Sequence, residues 1–514
     1  MPSLQWLPGF HLVGSLEVLL VGFALYYACW MIYAHFFHPL AKIPGPFWAS
    51  FSSLWYFDIV LKETSDAHQM PLHEKYGPIV RIAPNDLSVS DPEAIGVIYN
   101  AKKPFAKSGF YDSFVSHINP NRRDLFTERN DKNAADLRRT YAHLYTQSAV
   151  LNYEPRIDYI VELCSNVIAK VAESGETIDM TRTFRQYSFD VLGEIFYGKK
   201  GGFNNLHDDK DYNNWMAMIR TTASINASTN WLPKFMRLPF LMSGLVRSDV
   251  RTAVKGHFQV IADAKSAVRQ RQDDIKAGRD VPTHDMLTKL LAIMDDKSNK
   301  LDFSILDVDT HVWGIIWAGA ETTATTLTSI FYHLLKHSDC LEKLLREIDD
   351  AFATGNLTEP IHYMQAVKLP YLNACVKEAM RIHPGLGMTL PRSVPEGGTT
   401  IAGRFIPAGT IVGVNAIVVQ RDKSVFGQDA DDFVPERWIQ CGEKAAARME
   451  RTMMVFGTGQ RICLGKQISY TEMFKLLPTI LRKYDFELLS PEWNPHRSWF
   501  ADPSEVLVRV KNRA

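Results

Sequence analysis

The sequence predicts a mainly α protein with small β-sheets, carried on an N-terminal transmembrane helix. Three observations predict it. Val18–Phe37 contains no Asp, Glu, Lys or Arg. Beyond it, apolar residues recur at helical spacing through most of the chain. Strand-like runs are few, short and near the two ends of the body. The 514 residues are 46% apolar and 22% charged, which excludes a disordered chain and a small disulfide scaffold. Lys plus Arg, 57, equals Asp plus Glu, 57. There is no basic surplus of the kind nucleic-acid binders carry, so no nucleic-acid partner is expected. Six cysteines without paired spacing point to a reducing compartment and away from a zinc site.

Residues 1–40 form the expected membrane anchor, with a helix over about residues 18–37. A helix of about 20 residues crosses the hydrocarbon core. Trp30, Tyr33 and the cluster His35-Phe36-Phe37-His38 suit its interfacial end. Glu17 precedes the span and Lys42 follows it, which points the body toward the cytoplasm. No Lys or Arg precedes Glu17, and no small-x-small site closes the run, unlike a cleaved signal peptide. A buried core helix is the other alternative. Ala41-Lys42-Ile43-Pro44-Gly45-Pro46 cannot continue a helix and makes a stiff hinge. With no other linker and no repeat, residues 41–514 are expected to form one body.

Within that body, Ile79–Ala83 and Leu87–Ser90 flank Pro84-Asn85-Asp86 as a hairpin. Helical periodicity predicts Ile157–Val171, Val254–Ile275, Leu301–His337, Leu341–Phe352, Leu369–Arg381 and Leu464–Lys483. Thr399–Val419 holds short β-branched runs broken by Ala402-Gly403-Arg404 and Pro407-Ala408-Gly409. Phe486–Leu489 and Val506–Val510 add strands at the C-terminal end.

The strongest signal is Phe456-Gly457-Thr458-Gly459-Gln460-Arg461-Ile462-Cys463-Leu464-Gly465. Gly457 and Gly459 let the backbone turn tightly and lie close to a flat ligand. Cys463 stands before an amphipathic helix, whose positive end favours thiolate over thiol. Gly465 presents no side chain, and Arg461 can reach a carboxylate. A buried inert cysteine in a glycine turn is the bland alternative. A dinucleotide loop fits worse, because its third glycine would fall on Ile462.

This segment resembles the haem-binding signature of the cytochrome P-450 superfamily, F-x-x-G-x-R-x-C-x-G, at every fixed position. By average usage, five such positions coincide by chance in about one of ten thousand chains. The resemblance implies haem b (iron protoporphyrin IX) with the Cys463 thiolate as axial ligand, and Phe456, Gly457, Arg461 and Gly465 around it. Thiolate ligation favours cleavage of the O–O bond.

Other motifs support it. Glu378 and Arg381, three apart on one helix, resemble the family's E-x-x-R, and Phe433–Trp438 resembles its P-E-R-F with Trp438 in place of Phe. Arg437 would then join Glu378 and Arg381 in a buried structural network, since a lone buried ion is costly. Ala318-Gly319-Ala320-Glu321-Thr322-Thr323 lies inside a long apolar helix. Gly319 there costs about 1 kcal/mol relative to Ala, a cost more readily accepted where something approaches the backbone. The motif resembles A-G-x-[DE]-T, which implies that Glu321 and Thr322 deliver protons to bound dioxygen. The bland reading is a backbone-bonded Thr in a core helix. Alignment to the family's W-x-x-x-R gives Arg138 as a propionate contact, although its Trp position is Ala134. Arg392 is a second candidate, with a plain surface arginine as the alternative for both.

The resemblance spans about residues 18–514. Phe37-His38-Pro39-Leu40 and His73–Ile82 look like microsomal enzymes of filamentous fungi, nearest a pisatin-demethylase-like, secondary-metabolite group. The implied activity is a monooxygenase that inserts one atom of O2 into a lipophilic small molecule, with terpenoid, polyketide and alkaloid intermediates all open as substrates. Its electrons would come from NADPH through NADPH–cytochrome P-450 reductase in the same endoplasmic reticulum membrane. Lys132, Arg139, Lys444, Arg448, Arg451 and Lys466 would form a basic patch for that partner. Two other classes stay open: a haem-thiolate isomerase or dehydratase working without O2, and a non-catalytic haem-binding sensor. The intact Glu321-Thr322 pair favours the monooxygenase. Pocket walls are expected from Phe105–Asp124, Trp215–Leu245, His311–Thr322, Leu386–Leu390 and Arg497–Phe500. Asn226-Ala227-Ser228 and Asn356-Leu357-Thr358 are glycosylation sequons that should stay bare in a cytosolic body.

Overall fold

The computed structural model describes residues 9–296, 302–490, 492–493, 495–502 and 504–513. Residues 1–8 of the expected anchor, and Leu301 at the expected start of the long helix, lie outside the described residues. Gly9–Ile32 is one α-helix, continued by a π-helical turn over Tyr33–Phe37. Glu17–Phe37 is long and apolar enough to cross a membrane, and nearly all of it is exposed. A helix of a soluble body this apolar would bury at least one face. Its end is tied down: Trp30 Nε1 donates to Phe51 O at 2.9 Å, and Arg81 Nη1 donates to Ala34 O at 2.9 Å. The hinge is docked as well as stiff. Pro44 O accepts from Arg81 N at 2.8 Å, and a side chain at Gly45 would meet Arg81 O at 2.2 Å.

The body is helical, with Glu154–Ser174, Met180–Tyr197, Ser248–Lys276, Ser338–Ala353, Pro370–Ile382 and Lys466–Lys483 among its longer helices. Two expectations need correction. The segment Leu301–His337 is two helices, Ile305–Gly319 and Glu321–Lys336, separated at Ala320 (φ −100°, ψ −49°). Side-chain hydroxyls compete for its backbone there. Thr322 Oγ1 donates to Ala318 O at 2.9 Å and Thr323 Oγ1 to Gly319 O at 3.5 Å. Ala416–Val419, expected as strand, is a short helix. Asn415 caps it, accepting from Ile417 N at 2.8 Å, and this local bond overrides the β-branched preference of the run.

Small sheets flank the helices. The hairpin Ile79–Ala83/Asp86–Val89 is extended in parallel by Ile411–Val414, and then by Arg392–Ser393. The register sets Arg392 opposite Val412, which fixes that arginine on the inner sheet edge. Thr177–Asp179, Leu507–Asn512 and Tyr484–Leu488 form a second sheet. Two hairpins, Thr399–Ile401/Arg404–Ile406 and His496–Arg497/Ala501–Asp502, complete the set. The hairpin Thr399–Ile401/Arg404–Ile406 falls among the expected short β-branched runs, whereas sequence periodicity misses Thr177–Asp179, Arg392–Ser393, His496–Arg497 and Ala501–Asp502, which are too short to show alternation.

One buried network holds the loop that precedes the last long helix. Glu378 and Arg381 are fully buried. Arg381 clasps Glu378 through Nε and Nη2 at 2.9 and 2.8 Å. Arg437 Nε and Val434 N donate to the same carboxylate at 2.9 Å each. Trp438 Nε1 donates at 2.8 Å, a bond a phenylalanine there could not make. Arg381 Nη1 also reaches Gln420 O. The Gln420 side chain in turn accepts from Met454 N at 2.7 Å, two residues before Phe456. Glu378→Gln removes the charge that two buried guanidinium groups face, and breaking such a pair costs about 3–5 kcal/mol. The expected result is a lower Tm and a reduced yield of folded protein, measured by thermal unfolding of the purified chain. An unchanged Tm would show that the network is not a stabilising element.

Candidate functional site

The Phe456–Gly465 loop is built by its own backbone. Cys463 N donates to Phe456 O at 2.8 Å and Gly457 N to Met454 O at 2.9 Å. Gly457 and Gly459 have φ of +64° and +66°, the left-handed region that suits glycine. Gly459 also lies against protein: a side chain there would meet Tyr99 O at 2.4 Å. Its close neighbour is therefore a backbone carbonyl, where sequence reasoning expected a flat ligand. At Gly465 an added Cβ would stand 4.0 Å from Cys463 Sγ, an ordinary van der Waals contact, so no steric demand for glycine comes from the sulfur.

Cys463 Sγ opens onto a largely apolar internal cavity of about 360 Å³. The thiol is enclosed by protein and its exposure is to this cavity. Burial pushes its pKa up, against the opposing pull of the Gly465 N–H, Arg138 and the Lys466 N–H. The expected helix-end effect is present, but burial outweighs it in the protein alone. A bound metal ion would reverse the balance, since coordination deprotonates a thiol outright.

The same cavity gathers four cations: Lys107, Arg138, Arg392 and Arg461. Arg461 pairs with Asp131 at 2.6 Å, but its Nη1 has no partner among the described residues. Arg392 is buried and bonded only to neutral groups, Tyr111 Oη at 2.9 Å and the carbonyls of Leu390 and Pro391. Its Nε has no partner among the described residues. Lys107 donates to Phe126 O. Burial first, then Arg392 and Arg461, hold its pKa well below the ordinary lysine value. Asp124 shares the lining and Asp131 holds Arg461, but Arg392 has no carboxylate partner among the described residues, and a buried cation so placed calls for an anion. Together with the thiol and the side-chain-free surface at Gly465, this donor set fits a flat iron porphyrin that carries carboxylates. Arg138 lines the cavity, where a propionate contact is expected, and it also has a structural bond. Its Nη1 donates to Ile462 O at 2.8 Å, bracing the residue before Cys463. Lys107 lies within the expected wall Phe105–Asp124, but a lone lysine there gives no signal of its own.

Glu321 and Thr322 face different ways. Thr322 lines the cavity. Glu321 is 1% exposed, is not part of the cavity lining, and takes Arg185 Nε at 2.9 Å. Its Oε2 has no hydrogen-bond partner among the described residues. Arg185 lies on the Met180–Tyr197 helix, far away in sequence, and no motif announced it. Gly319 is crowded from that helix too, since a Cβ there would come within 2.5 Å of Leu192 Cδ1. The group approaching its backbone is thus a protein side chain. The basic residues named for a partner are mostly on the surface, and Arg139 is paired with Asp136 at 2.9 Å. Among the described residues no group of three metal-ligating side chains occurs, and all six cysteines are free.

Comparison with protein-family models matches residues 42–506 to Cytochrome P-450. Among characterised proteins, the chain is 37% identical to a cytochrome P-450 monooxygenase of Penicillium aethiopicum, gsfF, over 95% of this chain and 96% of that one. It is 34% identical to the monooxygenase cicH of Emericella nidulans, over 95% and 98%. It is 32% identical to a pisatin demethylase of Fusarium vanettenii, over 97% and 94%. The family binds haem through a cysteine thiolate and uses O2 and a reductant. With a matched region reaching from the hinge to the last strand, and relatives alike along nearly their whole length, the chain belongs to the cytochrome P-450 family.

Proposed function

We propose that Cys463 is the axial ligand of a haem b, and that the chain oxidises a lipophilic small molecule in the cavity above it. One observation carries this reading: the Cys463 sulfur opens onto an apolar cavity at which Lys107, Arg138, Arg392 and Arg461 converge. Arg392 and Arg461 would take the propionates through the N–H groups that lack partners. Phe456 and Gly457 would lie against the ring beside the sulfur, with Gly465 on the same wall. When bound, a thiolate haem supplies insertion of one atom of O2 into a C–H bond, with two electrons and two protons entering and one water leaving. Residues 41–514 act as one catalytic body.

Thr322 presents its oxygen to the cavity while its proton is given to Ala318 O, so it can accept a hydrogen bond from water there. Glu321 stands behind the wall as the protonatable group, oriented by Arg185. A proton passing from Glu321 to the cavity needs a bridging water or a turn of the carboxylate, because the two side chains leave the helix in different directions.

The electron donor is NADPH–cytochrome P-450 reductase, received by the exposed Lys132, Lys444, Arg448 and Arg451. The anchor sits in the endoplasmic reticulum membrane with the body in the cytoplasm. A second apolar surface supports contact with lipid on the same side: Phe235, Leu245 and Val246 are 78%, 82% and 83% exposed. Phe240 of that segment meets Phe57 at 5.3 Å, in the helix following the hinge. The substrate is a fungal secondary-metabolite intermediate. Likeness to pisatin demethylase over nearly the whole chain supports this.

Three outcomes are expected. The reduced, carbon-monoxide-treated protein in microsomes shows the long-wavelength Soret band of thiolate haem, and Cys463→Ala loses it. A histidine-type band in well-folded wild type would sink the ligand assignment. Glu321→Gln and Thr322→Ala keep that band but lower product formation about 100-fold, with NADPH diverted to hydrogen peroxide. Unchanged product yield per NADPH would remove both from proton delivery. The exposed sequon at Asn356 stays unmodified, so endoglycosidase treatment leaves the gel mobility unchanged; a shift would place the body in the lumen.

A further inference from the structure

Asn226 is a polar exception in the apolar part of the cavity. It lies on the Trp215–Thr229 helix, with Ala223 one turn earlier on the same wall. Its backbone carbonyl is occupied, accepting from Ser113 Oγ at 2.8 Å and Asn230 Nδ2 at 3.3 Å. Its side-chain carboxamide has no hydrogen bond to any described residue. Other neutral polar groups of the wall are engaged. Thr326 Oγ1 donates to Thr322 O at 2.9 Å, and His311 Nε2 is 2.8 Å from Tyr145 Oη. The indole N–H groups of Trp313 and Trp317 are sealed below the cavity surface.

A carboxamide turned into an apolar chamber loses free energy unless something pairs with it. It both donates and accepts, and a hydroxyl does the same. The surfaces around it are aromatic, with Phe114, Trp313, Trp317, Trp499 and Phe500 on the wall. Aromatic walls favour a flat aromatic guest. The sequon Asn226-Ala227-Ser228 has no bearing on glycosylation here. A glycan on Asn226 would have to occupy the cavity, whichever side of the membrane the body faces.

We propose that Asn226 is a specificity-determining residue: its carboxamide anchors the hydroxyl of a phenolic substrate whose ring system packs against Phe114, Trp313 and Trp499. This rests on the cavity being the oxidation site, as argued above. The test uses the full-length holoenzyme and two probes that differ by one hydroxyl, 2-naphthol and naphthalene. Each is titrated by the shift of the Soret band in wild type, Asn226→Leu, Asn226→Ala and Ser228→Ala. The carbon-monoxide spectrum of each protein is recorded alongside.

In wild type, the ratio of the naphthalene to the 2-naphthol Kd contains the hydrogen bond. It is expected to fall about 3- to 10-fold in Asn226→Leu and Asn226→Ala, the worth of one such bond. Ser228→Ala destroys the sequon but keeps the carboxamide, and should match wild type. A ratio unchanged in both Asn226 variants overturns the proposal, as does the absence of any shift with either probe. If Asn226→Leu loses the thiolate Soret band, Asn226→Ala decides by the same ratio. Absence of that band in wild type would instead be a failure of the haem-thiolate reading.

Discussion

The buried carboxylate of Glu378 is the interaction on which the site depends. It is fully removed from water and neutralised by Arg381 and Arg437, with Val434 N and Trp438 Nε1 completing its shell. A single buried charge of this kind would be ruinous, and a single ion pair would barely break even. Here each guanidinium spends its other N–H groups on backbone carbonyls, at Gln420, Ala430 and Asp432 for Arg381, and at Phe426 and Asp429 for Arg437. Otherwise irregular chain is thereby held as firmly as a helix. Gln420 passes the constraint to Met454, and the cysteine loop begins two residues later.

At the far end of that constraint the electrostatics are deliberately incomplete. Arg392 has only neutral partners, and burial and its cationic neighbours push Lys107 toward losing its proton. Burial likewise raises the Cys463 pKa. All three conditions cost free energy, and a single ligand that brings a metal for the sulfur and carboxylates for the cations, as proposed above, would relieve them.

Just past the break at Ala320, ordinary helix geometry turns Glu321 and Thr322 to different surroundings. Adjacent residues on a helix point about 100° apart. Thr322 therefore reaches the cavity while Glu321 turns to the Met180–Tyr197 helix and Arg185. The hydroxyls of Thr322 and Thr323 are drawn to Ala318 O and Ser469. Sequence adjacency makes these two residues look like a touching pair, and the structure makes them neighbours across a wall.

The sequence by itself determined the membrane helix, the helical class, the cysteine loop, and the Glu378–Arg381–Arg437 set. Each of these is a local pattern: an uncharged run, a 3.6-residue period, or fixed spacing around Gly and Cys. Only the tertiary structure decided that Arg138 braces Ile462, that Arg185 partners Glu321, that Gln420 links the network to the loop, and that Lys107 and Asn226 are among the residues of the expected walls Phe105–Asp124 and Trp215–Leu245 that face the cavity. These are contacts between segments far apart in the chain. Lys107, Arg185, Gln420 and Asn226 sit in stretches with no diagnostic spacing, so their meaning comes from the packing around them, which local propensity does not encode.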